Sequence, residues 1–245
     1  MLPVLALLGS WEFVSREGLI NQTLFPPPTR VGLALVQLCR SGEMVNDFAY
    51  SFLRVAAGFC IGSVVGVGLG LITGRNQRIA DLFTPIVQLF RPLPPVAIIP
   101  LVIIWLGIGE TAKIFSISFG VFFPVWLNTH IGSGRIPQQL LWSASTLSRS
   151  AKTIFWRVTL PATLPFIVAG LRAGIALAFV MVFVSELAGA SVGVGYQIST
   201  SYLAYRIDRM MAGLLVLGLS GAFADYGLSA FVNWKYPWLP YLGVK

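Results

Sequence analysis

Apolar runs alternate with short polar stretches along almost the whole chain. Six runs stand out, at residues 2–14, 48–74, 80–106, 112–132, 163–187 and 210–232. The last five are long enough for the ~20 residues that a helix needs to cross the hydrocarbon core of a bilayer. The first is shorter. It is expected to be a first helix whose cytoplasmic start lies outside this sequence, because no basic start precedes it and no small-x-small cleavage site follows, as a signal peptide would require. The pattern predicts an all-α polytopic membrane protein with about six transmembrane helices, both ends on the cytoplasmic side, and a single transmembrane domain over residues 1–245.

Details within and between the runs sharpen this. Ser15–Asp47 is mixed and polar. Pro26-Pro27-Pro28 breaks any helix there, and Thr29 is placed to cap the next. Val31, Ala34, Leu35 and Leu38 share one face of a helix over about 30–40, suited to lying along the outer membrane surface; a plain external loop is the alternative. In the second run Gly58, Gly62, Gly66, Gly70 and Gly74 recur every fourth residue and strip side chains from one helical face, so that another helix can approach closely. Gly74-Arg75-Asn76-Gln77-Arg78 ends that run, and its two positive charges mark the end as cytoplasmic.

The third run is interrupted by Arg91-Pro92-Leu93-Pro94-Pro95 and by Pro100. The carbonyls that these prolines free need partners in protein or in a water-filled cavity. Arg91 at such a place is costly in lipid, which makes it and Pro94 candidates for a polar pathway through the membrane; a snorkelling arginine that only satisfies a kink is the alternative. Gly107–Lys113, with Glu110 and Lys113, is a short external turn. In the fourth run Ser116 and Phe119 are candidates to face the pathway, against the plainer reading that the serine bonds its own backbone. His130 falls near the cytoplasmic boundary with no chemistry expected of it. In the fifth run Arg172 lies within reach of head groups, and Glu186 either lines or gates the path or sits at head-group level. Ser191–Asp208 is an external loop, Asp225 falls in the inner half of the sixth run, and Asn233–Lys245 is an aromatic, basic tail for the cytoplasmic interface.

Between the fourth and fifth runs, Trp142–Pro165 is polar and basic, with Arg149, Lys152 and Arg157. Leu147, Ala151, Ile154, Phe155 and Val158 recur at spacings of three and four, which predicts one amphipathic helix. Pro161 and Pro165 then open the next run, where a helix start tolerates proline.

Composition agrees. The 245 residues are 56% hydrophobic and 11% charged, with mean hydropathy +0.80, against about 25% charged in a soluble domain. Lipid is therefore the main solvent of this surface. The net charge of +8 fits positive cytoplasmic loops and anionic head groups, and no nucleic-acid partner is expected. The charge test of orientation is weak. Arg75, Arg78, Arg135, Arg149, Lys152, Arg157, Lys235 and Lys245 are assigned inside, and Arg16, Arg30, Arg40, Lys113, Arg206 and Arg209 outside. Cys39 and Cys60 make no disulfide framework, and the single histidine makes no metal site. No phosphate-cradling G-x-x-x-x-G-K-[ST] occurs, so the chain is not expected to hydrolyse ATP itself, and no nucleophile, CxxC or paired-carboxylate motif marks an enzyme.

Two stretches carry a resemblance. Trp142–Pro161 resembles the ATPase-coupling loop of binding-protein-dependent ABC importer permeases, whose pattern is Glu-Ala-Ala, three residues, Gly, a spacer, then Ile-x-Leu-Pro. Aligned on Leu160-Pro161, the family glycine falls on Ser148, the second alanine on Ala144, the first on Ser143 and the glutamate on Trp142. The glutamate and the glycine are thus replaced, and a glycine-type bend at Ser148 is left open. Independently, RPLPPVAIIPLVIIWLGIGETAKI (Arg91–Ile114) resembles the matching region of permeases for taurine, alkanesulfonates and nitrate. The resemblance implies a type I ABC importer permease fold with its coupling loop at about 135–160. Ser143, Ala144, Leu147, Ser148, Ala151, Phe155, Leu160 and Pro161 would then be the ATPase-coupling residues. It implies a homodimer in the bacterial inner membrane, two cytoplasmic ABC ATPase subunits that bind ATP and Mg, a periplasmic substrate-binding protein, no cofactor on this chain, and a small anion such as a sulfonate, taurine, nitrate or bicarbonate as substrate. An ion-coupled secondary transporter using Glu186, Asp225 and Arg91 as a relay is the rival, and a membrane-embedded enzyme a more distant one.

Overall fold

The computed structural model describes residues 2–18 and 20–238, and every regular element among them is helical. The helices are α1 (Leu2–Arg16), α2 (Pro28–Arg40), α3 (Glu43–Arg75), α4 (Gln77–Phe90), α5 (Ile99–Leu106), α6 (Glu110–Gly134), α7 (Gln138–Leu147), α8 (Ala151–Ile154), α9 (Leu160–Gly189), α10 (Val194–Leu203) and α11 (Ile207–Lys235). A 3-10 turn (Pro95–Ile98) precedes α5, and a π-helical turn (Phe155–Thr159) precedes α9.

The glycine ladder sets the architecture. Gly58 faces Ile117, Gly62 faces Val121, Gly66 faces Val125, Gly70 faces Thr129 and Gly74 faces Ser133. The offset is 59 residues at every step, from 58 with 117 to 74 with 133. A constant positive offset means that α3 and α6 run parallel, in one register, over the whole ladder. The approach is close enough that a Cβ on Gly62 would stand 2.5 Å from the carbonyl oxygen of Ser118.

Parallel neighbours require a return crossing between them. α3 ends at Arg75 at one end of the bundle and α6 starts at Glu110 at the other, so residues 76–109 must travel back by the length of the ladder. From Ser51, beside Glu110 in this register, to Gly74 is 23 residues, or ~35 Å of helix. The α4 and α5 arms meet at 84°, yet together they make this crossing and are a broken span. Pro92, Pro94 and Pro95 set the break, as expected where proline removes donors and clashes with the preceding turn.

α9 runs antiparallel to α6, with Gly170 3.1 Å from the Pro124 carbonyl, measured from an added Cβ, and Gly120 against Met181. Ile117, Val121, Val125, Ala178, Met181 and Val182 are fully buried along this contact and form the core. α11 packs against α9 and α10, and α2 covers α11 and α3 with Val31, Ala34 and Leu38 buried. That settles residues 30–40 as a helix. Thr29 does not cap it. Its N–H and Oγ1 donate to the Glu12 carboxylate of α1 at 3.1 and 2.8 Å, and Pro27 holds the N-cap position.

α3, α6, the α9 segment and α11 are each long and apolar enough to cross a membrane, and the broken span makes a fifth crossing. The sixth expected crossing corresponds to α1. At 15 residues it reaches ~22 Å, short of the ~30 Å hydrocarbon core. It lies against α2, with Trp11 and Phe25 ring centroids 5.3 Å apart, and leaves Leu5, Leu7 and Phe13 exposed. Of the expected aromatic tail, residues 239–245 lie outside the described residues.

Candidate functional site

The connection from α6 to α9 leaves the end of the bundle that also carries Gly74–Arg78. Arg75, Arg78, Arg135, Arg149, Lys152 and Arg157 thus gather in two short connections at one end, and the positive-inside rule assigns that end to the cytoplasm. The register of the spans makes this assignment firmer than the residue count did.

Within the connection, Trp142–Pro165 is not one helix. α7 stops at Leu147. Ser148 is extended (φ −150°, ψ 132°), and its Oγ accepts from the Ser150 N–H at 3.2 Å. Ser150 Oγ in turn accepts from the Thr153 N–H at 3.4 Å and starts the single turn of α8. Serine hydroxyls that bind nearby backbone donors compete with helix continuation, so two of them in three residues break it. The bend at Ser148 uses a backbone conformation open to any residue, so it does not need the glycine found there in the family pattern.

The break also splits the expected apolar stripe. Leu141 and Ala144 are buried at 7% each, while Leu147 is 88% exposed and Trp142 62% exposed. Ser143 and Ala151 are exposed, and Ser148, Phe155, Leu160 and Pro161 are half-buried. α7 is therefore anchored by its Leu141–Ala144 side and offers Trp142, Ser143 and Leu147 outward.

The opposite end holds a polar knot that the sequence reading passed over. Arg54 of α3 is 4% exposed. Its Nε and Nη2 fork onto Glu110 at 2.6 and 2.7 Å, and its Nη1 donates to Glu186 and to the Val192 carbonyl, both at 2.7 Å. Glu186, fully buried, also accepts from Ser51 Oγ (2.7 Å) and from the Gly195 N–H (2.8 Å). The Gly193 N–H donates to Asp47 and the Val194 N–H to Ser51. Lys113, also buried, donates to Glu110 at 3.0 Å. Gly193 has φ +135°, and a Cβ there would strike the Glu186 carboxylate. Asp47, Ser51 and Arg54 lie at helical spacings of four and three, on one face of α3. A charged residue inside a predicted span was the available signal.

This corrects several pathway candidates. Glu186 faces no open path; burial among Arg54, Ser51 and Gly195 makes it a structural carboxylate. Ser116 is 1% exposed and donates to the Ala112 carbonyl of its own helix at 2.8 Å, the plainer of its two readings. Phe119, half-buried, stands edge-on to Phe123 at 4.9 Å and borders an apolar groove of about 440 Å³ with Ile61, Val65 and Phe115. Arg91 and Pro94 are exposed at the α4–α5 break. The structure does not bring these candidates together. His130 meets Thr73 through Nδ1 at 2.9 Å and stacks on Trp126. Arg172 does not reach for head groups; it forks onto Asp225 of α11 at 2.7 and 2.8 Å.

Comparison with known proteins places this arrangement. Residues 66–237 match the family of binding-protein-dependent transport system inner membrane components. The chain belongs to this family. It is a membrane permease of the ABC importer class. The permease is 30% identical to the taurine transport system permease protein TauC of Escherichia coli over 237 residues, 95% of this chain and 86% of that one. A Bacillus subtilis protein named for aliphatic sulfonates transport, SsuC, is 32% identical over 225 residues, covering 92% of the permease and 81% of its relative. The nitrate import permease protein NrtB of Synechocystis is 32% identical over 184 residues, 75% and 66% of the two chains. In fold, the permease is similar to a chain of the inward-facing MetNI methionine ABC transporter, with a TM-score of 0.62, 20% identity, and coverage of 75% of the permease and 91% of that chain.

Proposed function

We propose that the permease works as a homodimer, with two cytoplasmic ATPase subunits docked on its α7–α8 connections and a substrate-binding protein at its outer face. ATP and Mg belong to the ATPases, and this chain conducts without hydrolysing. The observation that carries this reading is the break at Ser148, which anchors α7 by Leu141 and Ala144 and leaves Trp142, Ser143 and Leu147 exposed between α6 and α9. A partner that moves α7 pulls on both helices through the chain itself. The relatives named for taurine, aliphatic sulfonates and nitrate support a small oxyanion as substrate, with sulfonates first.

Leu147→Asp is the cleanest test. At 88% exposure the new charge costs the fold little, whereas it would sit in the docking groove of the ATPase. Membrane insertion and monodispersity should be unchanged and co-purification of the ATPase lost. Full co-purification would remove the coupling role. Ala144→Asp is a poorer probe, because Ala144 is buried and a charge there disturbs the α7 anchor itself.

The ion-coupled alternative is not favoured. Its relay would need Glu186, Asp225 and Arg91 to exchange protons, but Glu186 is tied to Arg54, Asp225 to Arg172, and Arg91 lies on the surface at the bend.

A further inference from the structure

We propose that the groove between α9 and α11, floored by Arg172 and Asp225, is a transit subsite for a small zwitterion with an acidic head and an ammonium group. The proposal rests on the importer reading above and narrows its substrate.

Depth comes first. Arg172 is 12 residues into α9 from Leu160 and 17 from its end at Gly189, ~18 and ~26 Å along the helix. Asp225 is 10 residues before Lys235, ~15 Å. Both ends of the pair therefore lie within the hydrocarbon core. Their side chains are nevertheless 31% and 34% exposed. An ion pair opened to lipid is costly, and ionisable groups at this depth face protein or a water-filled cavity. A water-filled groove meets that requirement.

Space comes second. The groove measures about 660 Å³, within the ~300–1,000 Å³ of small-molecule sites. Ala169, Ala176, Gly218 and Ala222 on its walls are exposed. A Cβ added to Gly218 would meet nothing within 4 Å. Gly218 therefore differs from the ladder glycines, each of which is pressed against α6: its lack of a side chain leaves room in the groove.

Charge decides the ligand class. Both Asp225 oxygens accept from the Arg172 fork, so the pair is neutral overall. A bare anion that reached Arg172 would lie against the Asp225 carboxylate. A zwitterion exchanges partners instead: its sulfonate or carboxylate takes the guanidinium, its ammonium takes Asp225, and the charge sum is unchanged. Because an existing bridge is opened, binding stays weak, which suits passage.

The test uses the permease with its ATPases in nanodiscs, carrying Gly218→Cys together with Cys39→Ser and Cys60→Ser. A charged, membrane-impermeant thiosulfonate reagent reports access. The thiol should be labelled, and millimolar taurine should slow labelling about threefold or more, as occupancy of a weak site dictates. Its hydroxyl analogue, 2-hydroxyethanesulfonate, should not slow it, and Asp225→Asn should abolish the taurine effect. If Asp225→Asn does not assemble, the contrast between taurine and its analogue decides alone. Absence of labelling, or equal protection by both compounds, overturns the subsite. ATP hydrolysis by the same sample separates the two readings: hydrolysis without selective protection sinks the subsite alone, whereas loss of the ATPase from the preparation sinks the importer assembly.

Discussion

Arg54 is the residue on which most of the outer end depends. It ties α3 to α6 through Glu110, to α9 through Glu186, and to the segment before α10 through the Val192 carbonyl. Removing one partner of a buried ion pair leaves the other charge uncompensated, which typically costs ~3–5 kcal/mol. Glu186→Ala should therefore lower the melting temperature of the detergent-solubilised permease strongly, and Glu186→Gln, which keeps a hydrogen-bonding side chain of the same shape, should do less harm. Equal stability of wild type and Glu186→Ala, measured by thermal unfolding, would show that the knot contributes nothing. The knot also explains why sequence reasoning misjudged Glu186. Its sequence position puts it near the outer end of a span, but its side-chain partners Ser51 and Arg54 come from 135 and 132 residues away in the chain, a distance no local pattern reports.

Among the elements, α3 and α6 show most directly how sequence becomes packing. The four-residue glycine spacing is a local signal and was legible as a helix contact. Its partner, parallel direction and 59-residue offset were not, because they depend on where the broken span returns. The proline cluster marked that break correctly, while the 84° angle is set by how the two arms pack. The α7–α8 connection failed in the opposite way. Its spacing suggested a continuous amphipathic helix, but Ser148 and Ser150 redirect their hydroxyls to the backbone and end it. The ladder predicts an asymmetry between glycines of one helix. Gly62→Ala would drive a Cβ into the Ser118 carbonyl at 2.5 Å, whereas at Gly68 nothing lies within 4 Å. Overpacking costs ~1–3 kcal/mol, while a free helical Gly→Ala gains up to ~1 kcal/mol. Thermal unfolding should place Gly62→Ala below wild type and Gly68→Ala at or above it; the reverse order would refute the interlocked register. Interlocked glycines also suit a block that moves as a unit better than a surface along which helices slide.

For the whole molecule, the two ends divide the labour. The outer end is held by a charged knot linking α3, α6, α9 and the segment before α10. The cytoplasmic end carries the basic connections, and there the chain passes from α6 to α9 through α7, the break at Ser148 and α8. In the coupling role proposed for α7, force applied there would enter a block held by glycine contacts and by Arg54. The family and the α-helical membrane architecture were readable from hydropathy and from two motifs. The exposed edge of α7 was not, since exposure depends on which of its sides is covered. The most direct measurement of the central claim is photocrosslinking from position 147. A benzoylphenylalanine placed there, in inverted membrane vesicles that contain the native transport complex, should give an adduct with an ATP-binding subunit, identified by mass spectrometry. Adducts with lipid alone, or none in vesicles that still transport, would contradict the account.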